Sequence, residues 1–197
     1  MASDIVVIDN VLPNKEFEQI LFYFKHKVEW LYGDSVTVDD PDDPRFRSDD
    51  PTDFQFVKLI FFQTNGIIDQ QSMQALKPLL RFLKATVLAR IKANLNTWTP
   101  EVMERDFHVD YDYGNMTAIY YLNTCNGYTL FKDGQKCESV ANRICIFPGG
   151  KWHTGTTTSD SKHRMVININ YWPHRPNSGV PTEEMKQEMK EKSLDKT

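Results

Sequence analysis

From residue 98 onward the chain is written in strand-length runs separated by turns, and this rhythm constrains the fold more than any other feature. Strands are expected near 105–110, 116–123, 127–131, 136–140, 142–147, 152–156 and 164–172, with turns at Gly127, Asp133-Gly134 and Pro148-Gly149-Gly150. Successive side chains of a strand point to opposite faces. In RMVININYW that rule places Arg164, Val166, Asn168 and Asn170 on one face and Met165, Ile167, Ile169 and Tyr171 on the other. Faces so unlike require an apolar layer on one side and a polar cavity on the other, because buried asparagines need hydrogen-bond partners. The same parity groups Thr117, Ile119, Tyr121 and Asn123 in TAIYYLN.

The first half reads differently. DIVVID is a strand, and Pro13 opens a helix in which Phe17, Ile20, Leu21 and Phe24 recur at helical spacing. Residues 33–53 are acidic and proline-rich, which excludes a regular element. Within them, 39–53 read as a solvated loop, the functional alternative being a lid with Arg45, Phe46 and Arg47 as its contact residues. FQFVKLIFF follows as a strand, and residues 70–95 read as one long helix kinked at Pro78. Helices followed by many strands make an α+β domain whose helices brace one face of a sheet sandwich.

The expected organisation is a single domain over 1–197. It comprises a supporting region (1–97) containing the acidic loop 33–53, a strand-rich core (98–175) and a charged tail (176–197). A chain of 197 residues, 40% hydrophobic and 12% aromatic, is an ordinary globular protein. Its net charge of −4 argues against nucleic acid or an anionic membrane as partner through bulk charge. No apolar run approaches a membrane span, and the start lacks a secretory signal. Three cysteines, at 125, 137 and 145, without CxxC spacing, fit reduced thiols in the cytoplasm. Oligomeric state is not written in the sequence.

The candidate site residues are His108 and Asp110 in FHVDYDY, His153 in FPGGKWHTG and Arg164 in KHRMVINI. Two residues apart on a strand, His108 and Asp110 reach the same side. With a distant His they form two imidazoles and a carboxylate, a set that caps one face of an octahedral metal and leaves positions open. The same donors suit zinc. An Arg fork shortly after the second His matches the far carboxylate of a chelating dicarboxylate. His26, His163 and His174 fit no ligand spacing, and Trp98, Trp152 and Trp172 read as packing residues.

These residues, with AIYYLN, RICIFP and the opening VIDNVLPNKEFEQI, resemble the Fe(II)/2-oxoglutarate-dependent dioxygenases, in particular the prolyl 4-hydroxylase-like branch. The matching stretch runs from about Phe107 to Trp172. The resemblance implies a double-stranded β-helix, or jelly roll, with N-terminal helices bracing the major sheet. It implies Fe(II) on His108, Asp110 and His153, with 2-oxoglutarate and dioxygen as cosubstrates. Arg164 would pair with the far carboxylate of 2-oxoglutarate, Tyr121 would donate a hydrogen bond to it, and Asn168 would line its pocket. The implied reaction decarboxylates 2-oxoglutarate to succinate and hydroxylates an unactivated C–H bond of a peptide, amino acid or small molecule, a prolyl residue first among them. Many relatives carry Gly-Gly before the strand after YLN, where this chain has Gly127 alone. AlkB-type nucleic-acid demethylases carry a second Arg where this chain has Asn170. A metal-binding jelly roll without oxygenase activity, or a zinc hydrolase, is the alternative from another class. A hydrolase would have no use for the dicarboxylate fork, and no Glu is placed to be its base.

Overall fold

A computed structural model describes residues 4–33 and 52–173, together with Gln187. The elements run β1 (Val6–Ile8), α1 (Asn14–His26), β2 (Leu31–Gly33), β3 (Gln55–Phe62), β4 (Gly66–Ile67), α2 (Gln70–Ala75), α3 (Lys77–Phe82) and β5 (Ala85–Thr97). Then follow β6 (Met116–Tyr121), β7 (Tyr128–Phe131), β8 (Lys136–Glu138), β9 (Arg143–Pro148), β10 (His153–Gly155) and β11 (His163–Pro173). The acidic segment 34–51, with Arg45, Phe46 and Arg47, lies outside the described residues, as does the tail apart from Gln187.

One sheet has the order β1-β9-β6-β11-β5-β3-β2, with β4 paired to β3; the other has the order β10-β7-β8. From β5 onward the chain passes back and forth between them: β6 in the large sheet, β7 and β8 in the small, β9 in the large, β10 in the small, β11 in the large. Such alternation is the winding of a double-stranded β-helix, so the α+β jelly-roll expectation holds.

The face parity of β11 holds as well. Met165, Ile167, Ile169 and Tyr171 enter the main apolar cluster with Phe17, Ile20 and Phe24 of α1 and Leu79 of α3. Alternate residues of β6 divide in the same way. Ala118 and Tyr120 join that cluster, while Ile119 and Tyr121 pack with Val166, Cys145 and Phe147 against Phe131 and Cys137 of the small sheet. The helices therefore brace the outer face of the large sheet, and the inner face is left for the cavity. Asn142, at φ 61°, ties the β1–α1 corner to this sheet. Its carboxamide accepts from Leu12 N and Tyr120 Oη and donates to Leu12 O.

Two expectations fail. The long helix over 70–95 ends at Phe82, and its second half is β5. Lys84 takes φ 50°, the left-handed conformation that stops a helix and turns the chain, and β-branched Thr86 and Val87 then favour extension. From Ala89 to Asn96 the residues alternate apolar and polar, which is the strand period. The strand expected at 105–110 is absent. In its place the backbone makes isolated bridges, Glu104 to Thr156 and His108 to His153.

Candidate metal centre and its cavity

The bridge between His108 and His153 is the root of the site. His108 N donates to His153 O at 2.9 Å and His153 N donates to His108 O at 3.0 Å, so the two backbones hold each other in register. Their rings lie 4.8 Å apart. Phe147 packs edge-on against the His153 ring at 4.8 Å, fixing its plane. The sequence argument placed His108 and Asp110 on a regular strand; the structure brings them together from an irregular segment pinned by one bridge.

The ligand-capable atoms of His108, Asp110 and His153 all lie within 4.8 Å of one another. Nε2 of His108 is 3.9 Å from Asp110 Oδ1, and Nε2 of His153 is 3.8 Å from Asp110 Oδ2. Nδ1 of His153 lies 2.9 Å from Lys151 O, and Nδ1 of His108 lies 3.3 Å from Asp106 O. A carbonyl can only accept, so each pairing puts the ring proton on Nδ1 and leaves the Nε2 lone pair facing the carboxylate. That is how a second partner sets a metal-ligating tautomer. Burial, reinforced by His153, pulls His108 down to about 4, which keeps it neutral as a ligand must be.

Asp110 is held more firmly than the sequence suggested. Arg90 Nη2 donates to Oδ1 at 2.6 Å, and Asn168 and Asn170 donate to Oδ2 at 2.8 and 3.1 Å. Burial alone would raise its pKa, yet the Arg90 charge and the hydrogen bond from Asn168 hold it well below the carboxylate range. Arg90 also donates to Asn170 Oδ1 and packs over the Tyr111 ring at 5.3 Å. Arg90 escaped the sequence reading because it was placed on a helix. The alternation Arg90, Lys92, Asn94, Asn96 was the signal that would have found it.

Arg164 lies across the cavity, 2% exposed. Nε donates to Ser139 Oγ at 2.7 Å and Nη2 to Thr129 Oγ1 at 3.1 Å, with the guanidinium over the Tyr121 ring at 5.5 Å. Burial lowers its pKa, and Tyr121 opposes the shift; a guanidinium stays charged regardless. Tyr121 is fully buried and donates to Thr129 Oγ1 at 2.8 Å, so Thr129, which lines the cavity, stands between Tyr121 and the open space. Thr129 and Ser139 were not singled out from sequence. The remaining wall comes from Lys92, Asn94 and Asn96 of β5 and Val166 and Asn168 of β11.

The donor set fits a divalent metal with open positions, and His108, Asp110 and His153 are the residues that would hold it. The wall also contains acceptors that ask for an occupant: Asn94 Oδ1 and Asn168 Oδ1 are buried without a hydrogen bond.

Gly127 lets Arg164 take its place. A Cβ there would meet Thr157 O at 2.5 Å and Arg164 Cδ at 2.7 Å. Gly127→Ala is expected to destabilise the protein by about 1–3 kcal/mol, as overpacking against backbone does. A thermal melt that does not fall by several degrees would show that this close approach is relaxed at no cost.

No protein-family model and no curated protein sequence matches the chain. Solved structures do resemble it in fold. An epimerase, SnoN, from nogalamycin biosynthesis, described as non-haem and α-ketoglutarate-dependent, aligns at TM-score 0.61 and 11% identity over 86% of this chain and 78% of its own. A 2OG-Fe(II) oxygenase family oxidoreductase from Burkholderia pseudomallei aligns at TM-score 0.58 and 10% identity, over 85% of each chain. A prolyl hydroxylase from Trichoplax adhaerens, in complex with a hypoxia-inducible factor peptide fragment, aligns at TM-score 0.53 and 14% identity over 89% of this chain and 86% of its own. At such identities the likeness establishes the jelly-roll architecture.

Proposed function

We propose that this chain is an Fe(II)- and 2-oxoglutarate-dependent oxygenase that hydroxylates an unactivated C–H bond, with a prolyl or other amino-acid residue as the leading substrate. The observation that carries the reading is a buried Arg164 facing the same cavity as the His108, Asp110 and His153 cluster. Neither feature alone would suffice. A metal-binding jelly roll needs no guanidinium clamp, and a zinc hydrolase has no use for one. Solved structures that share this fold include one described as a 2OG-Fe(II) oxygenase family oxidoreductase, a prolyl hydroxylase and an α-ketoglutarate-dependent epimerase, which supports the reading.

Fe(II) with 2-oxoglutarate and dioxygen would supply the oxidising power, yielding succinate and carbon dioxide. The chain's own residues orient and shield. Arg164, fixed by Ser139 and Thr129, would take the far carboxylate of 2-oxoglutarate, with Tyr121 acting through Thr129 to set the direction of that hydroxyl. Arg90, Asn168 and Asn170 hold the Asp110 carboxylate so that its orientation does not have to be found during binding. Phe147 and Phe131 close the side of His153 away from the cavity. A nucleic-acid substrate is disfavoured: Asn170 is directed at Asp110 and Thr117, and the chain is acidic overall. Among the described residues no helix is long and apolar enough to cross a membrane. Cys125, Cys137 and Cys145 are buried free thiols, which supports a reducing, cytoplasmic setting.

The test is coupled product analysis with Fe(II), 2-oxoglutarate and oxygen over a panel of peptides and amino acids. One substrate should gain a single oxygen atom in step with succinate release. Protein that binds metal yet yields no succinate with any substrate, and none without one, would leave the inert metal-binding alternative standing.

A further inference from the structure

Resting on that reading, we infer that the substrate is acidic, and that Arg90 and Lys92 form the subsite for its carboxylate or phosphate group. Both belong to β5 and line the cavity, and the register of β5 with β11 fixes their place in it. Arg164 lies opposite Asn96, whereas Asn168 lies opposite Lys92 and Asn170 opposite Arg90. From Asn96 back to Arg90 the strand runs about 20 Å, at about 3.3 Å per residue. The two guanidiniums also turn to different partners, Arg164 to Ser139 and Thr129, Arg90 to Asn170 and Asp110. A 2-oxoglutarate carboxylate held by Arg164 therefore leaves the Arg90 end to another ligand.

That end is the one open to solvent. The side chains of His153 and Asp110 are 4% exposed and Arg164 is 2% exposed, but His108 is 27% and Arg90 18% exposed. Lys92 is half-buried. Arg90 also has donors to offer there. Its Nε and Nη2 donate to Asn170 and Asp110, while Nη1, with two N–H groups, makes no hydrogen bond among the described residues and is not buried. Neither Arg nor Lys carries an acceptor, so the occupant must bring one.

Carbonyl and hydroxyl oxygens accept hydrogen bonds as well, and charge decides against them. Among the described residues that line the cavity, Arg90, Lys92 and Arg164 stand against one carboxylate, Asp110. A divalent metal would add two positive charges and 2-oxoglutarate would remove two, so the loaded cavity keeps its positive surplus. Lys92 acts at the metal end, where its charge is one of the causes that hold His108 low. In a cavity shielded from water such a field favours an oxyanion over a neutral oxygen, and it repels an ammonium.

The experiment uses the full chain in two forms, anaerobic with Fe(II) and saturating 2-oxoglutarate, and with Zn(II) substituted for ligand-observed NMR. The probes are matched pairs: N-acetylproline and its amide, capped Gly-Glu-Gly and capped Gly-Gln-Gly, glycerol 3-phosphate and glycerol. In at least one pair the acid should bind at least about tenfold more tightly than its neutral partner, and added salt should narrow the gap. The pair with the widest gap separates a small carboxylic acid, an acidic peptide and a phosphate ester as the source of the anion. Arg90 is left intact because it also holds Asp110. Lys92→Gln should cut the preference for the acid severalfold; should that variant fail to fold, the matched pairs on the native chain decide alone. Neutral partners that bind as tightly as the acids in every pair, or no binding of any probe, overturn the inference. So does an acid that bleaches the Fe(II)–2-oxoglutarate absorption band, since it has then displaced the cosubstrate at Arg164. Wherever that band forms before the probe is added, the oxygenase reading survives these failures. If no band forms at all, that reading falls and the inference falls with it.

Discussion

His153→Ala is expected to abolish turnover and to lower metal affinity by on the order of 100-fold or more, because even an outer partner of a metal ligand is worth 10- to 100-fold. The physical reason lies in the bridge that joins His153 to His108. The substitution keeps the reciprocal backbone hydrogen bonds but removes one of three ligand atoms, and nothing else described nearby replaces a buried imidazole. The protein should remain folded. The ring packs on Phe147 and Phe131, so its loss leaves a small cavity, while the apolar layer between α1, α3 and the large sheet is untouched. Asp110→Ala should do the same to the metal, and it strands Arg90, Asn168 and Asn170 without their common acceptor. Circular dichroism, metal titration and succinate release together check the prediction. Full activity in His153→Ala would remove the metal assignment.

Arg164→Lys should raise the KM for 2-oxoglutarate by about 10- to 100-fold while lowering kcat much less, since one charge-assisted hydrogen bond is worth about 1.5–3 kcal/mol. A lysine keeps the charge but has no fork. It cannot donate to Ser139 and Thr129 at once and still present a flat pair of donors to a carboxylate. Arg164→Ala goes further: it leaves the hydroxyls of Ser139 and Thr129 facing a hole beneath which the Tyr121 ring lies bare. That variant should bind Fe(II) and fail to develop the visible band with 2-oxoglutarate under nitrogen. An unchanged KM in Arg164→Ala would place the cosubstrate carboxylate elsewhere.

Local periodicity was legible wherever it was strong. The two unlike faces of RMVININYW predicted both the apolar layer and the cavity wall, because alternation is a property of the strand alone. It was misread at residues 85–95. There the preceding helical stretch was carried across Lys84, whose left-handed conformation has no mark in its side chain. Residues 105–110 were overread in the opposite direction. The chain there makes isolated bridges, Glu104 to Thr156 and His108 to His153, without pairing along its length.

His108, Asp110, His153 and Arg164 were singled out by residue type and order. What surrounds them was not. Asp110 meets Arg90, Asn168 and Asn170, which lie 20, 58 and 60 residues away in sequence, and Tyr121 reaches the cavity through Thr129 and Arg164. Which face a side chain takes follows from the period of its own strand, and the sequence by itself determined that. Which side chains share a face across strands depends on the order in which β9, β6, β11 and β5 pair and on their register. Those are set by the packing of the whole sheet against α1 and α3. Only the tertiary structure decided them, because no residue encodes its cross-strand neighbour.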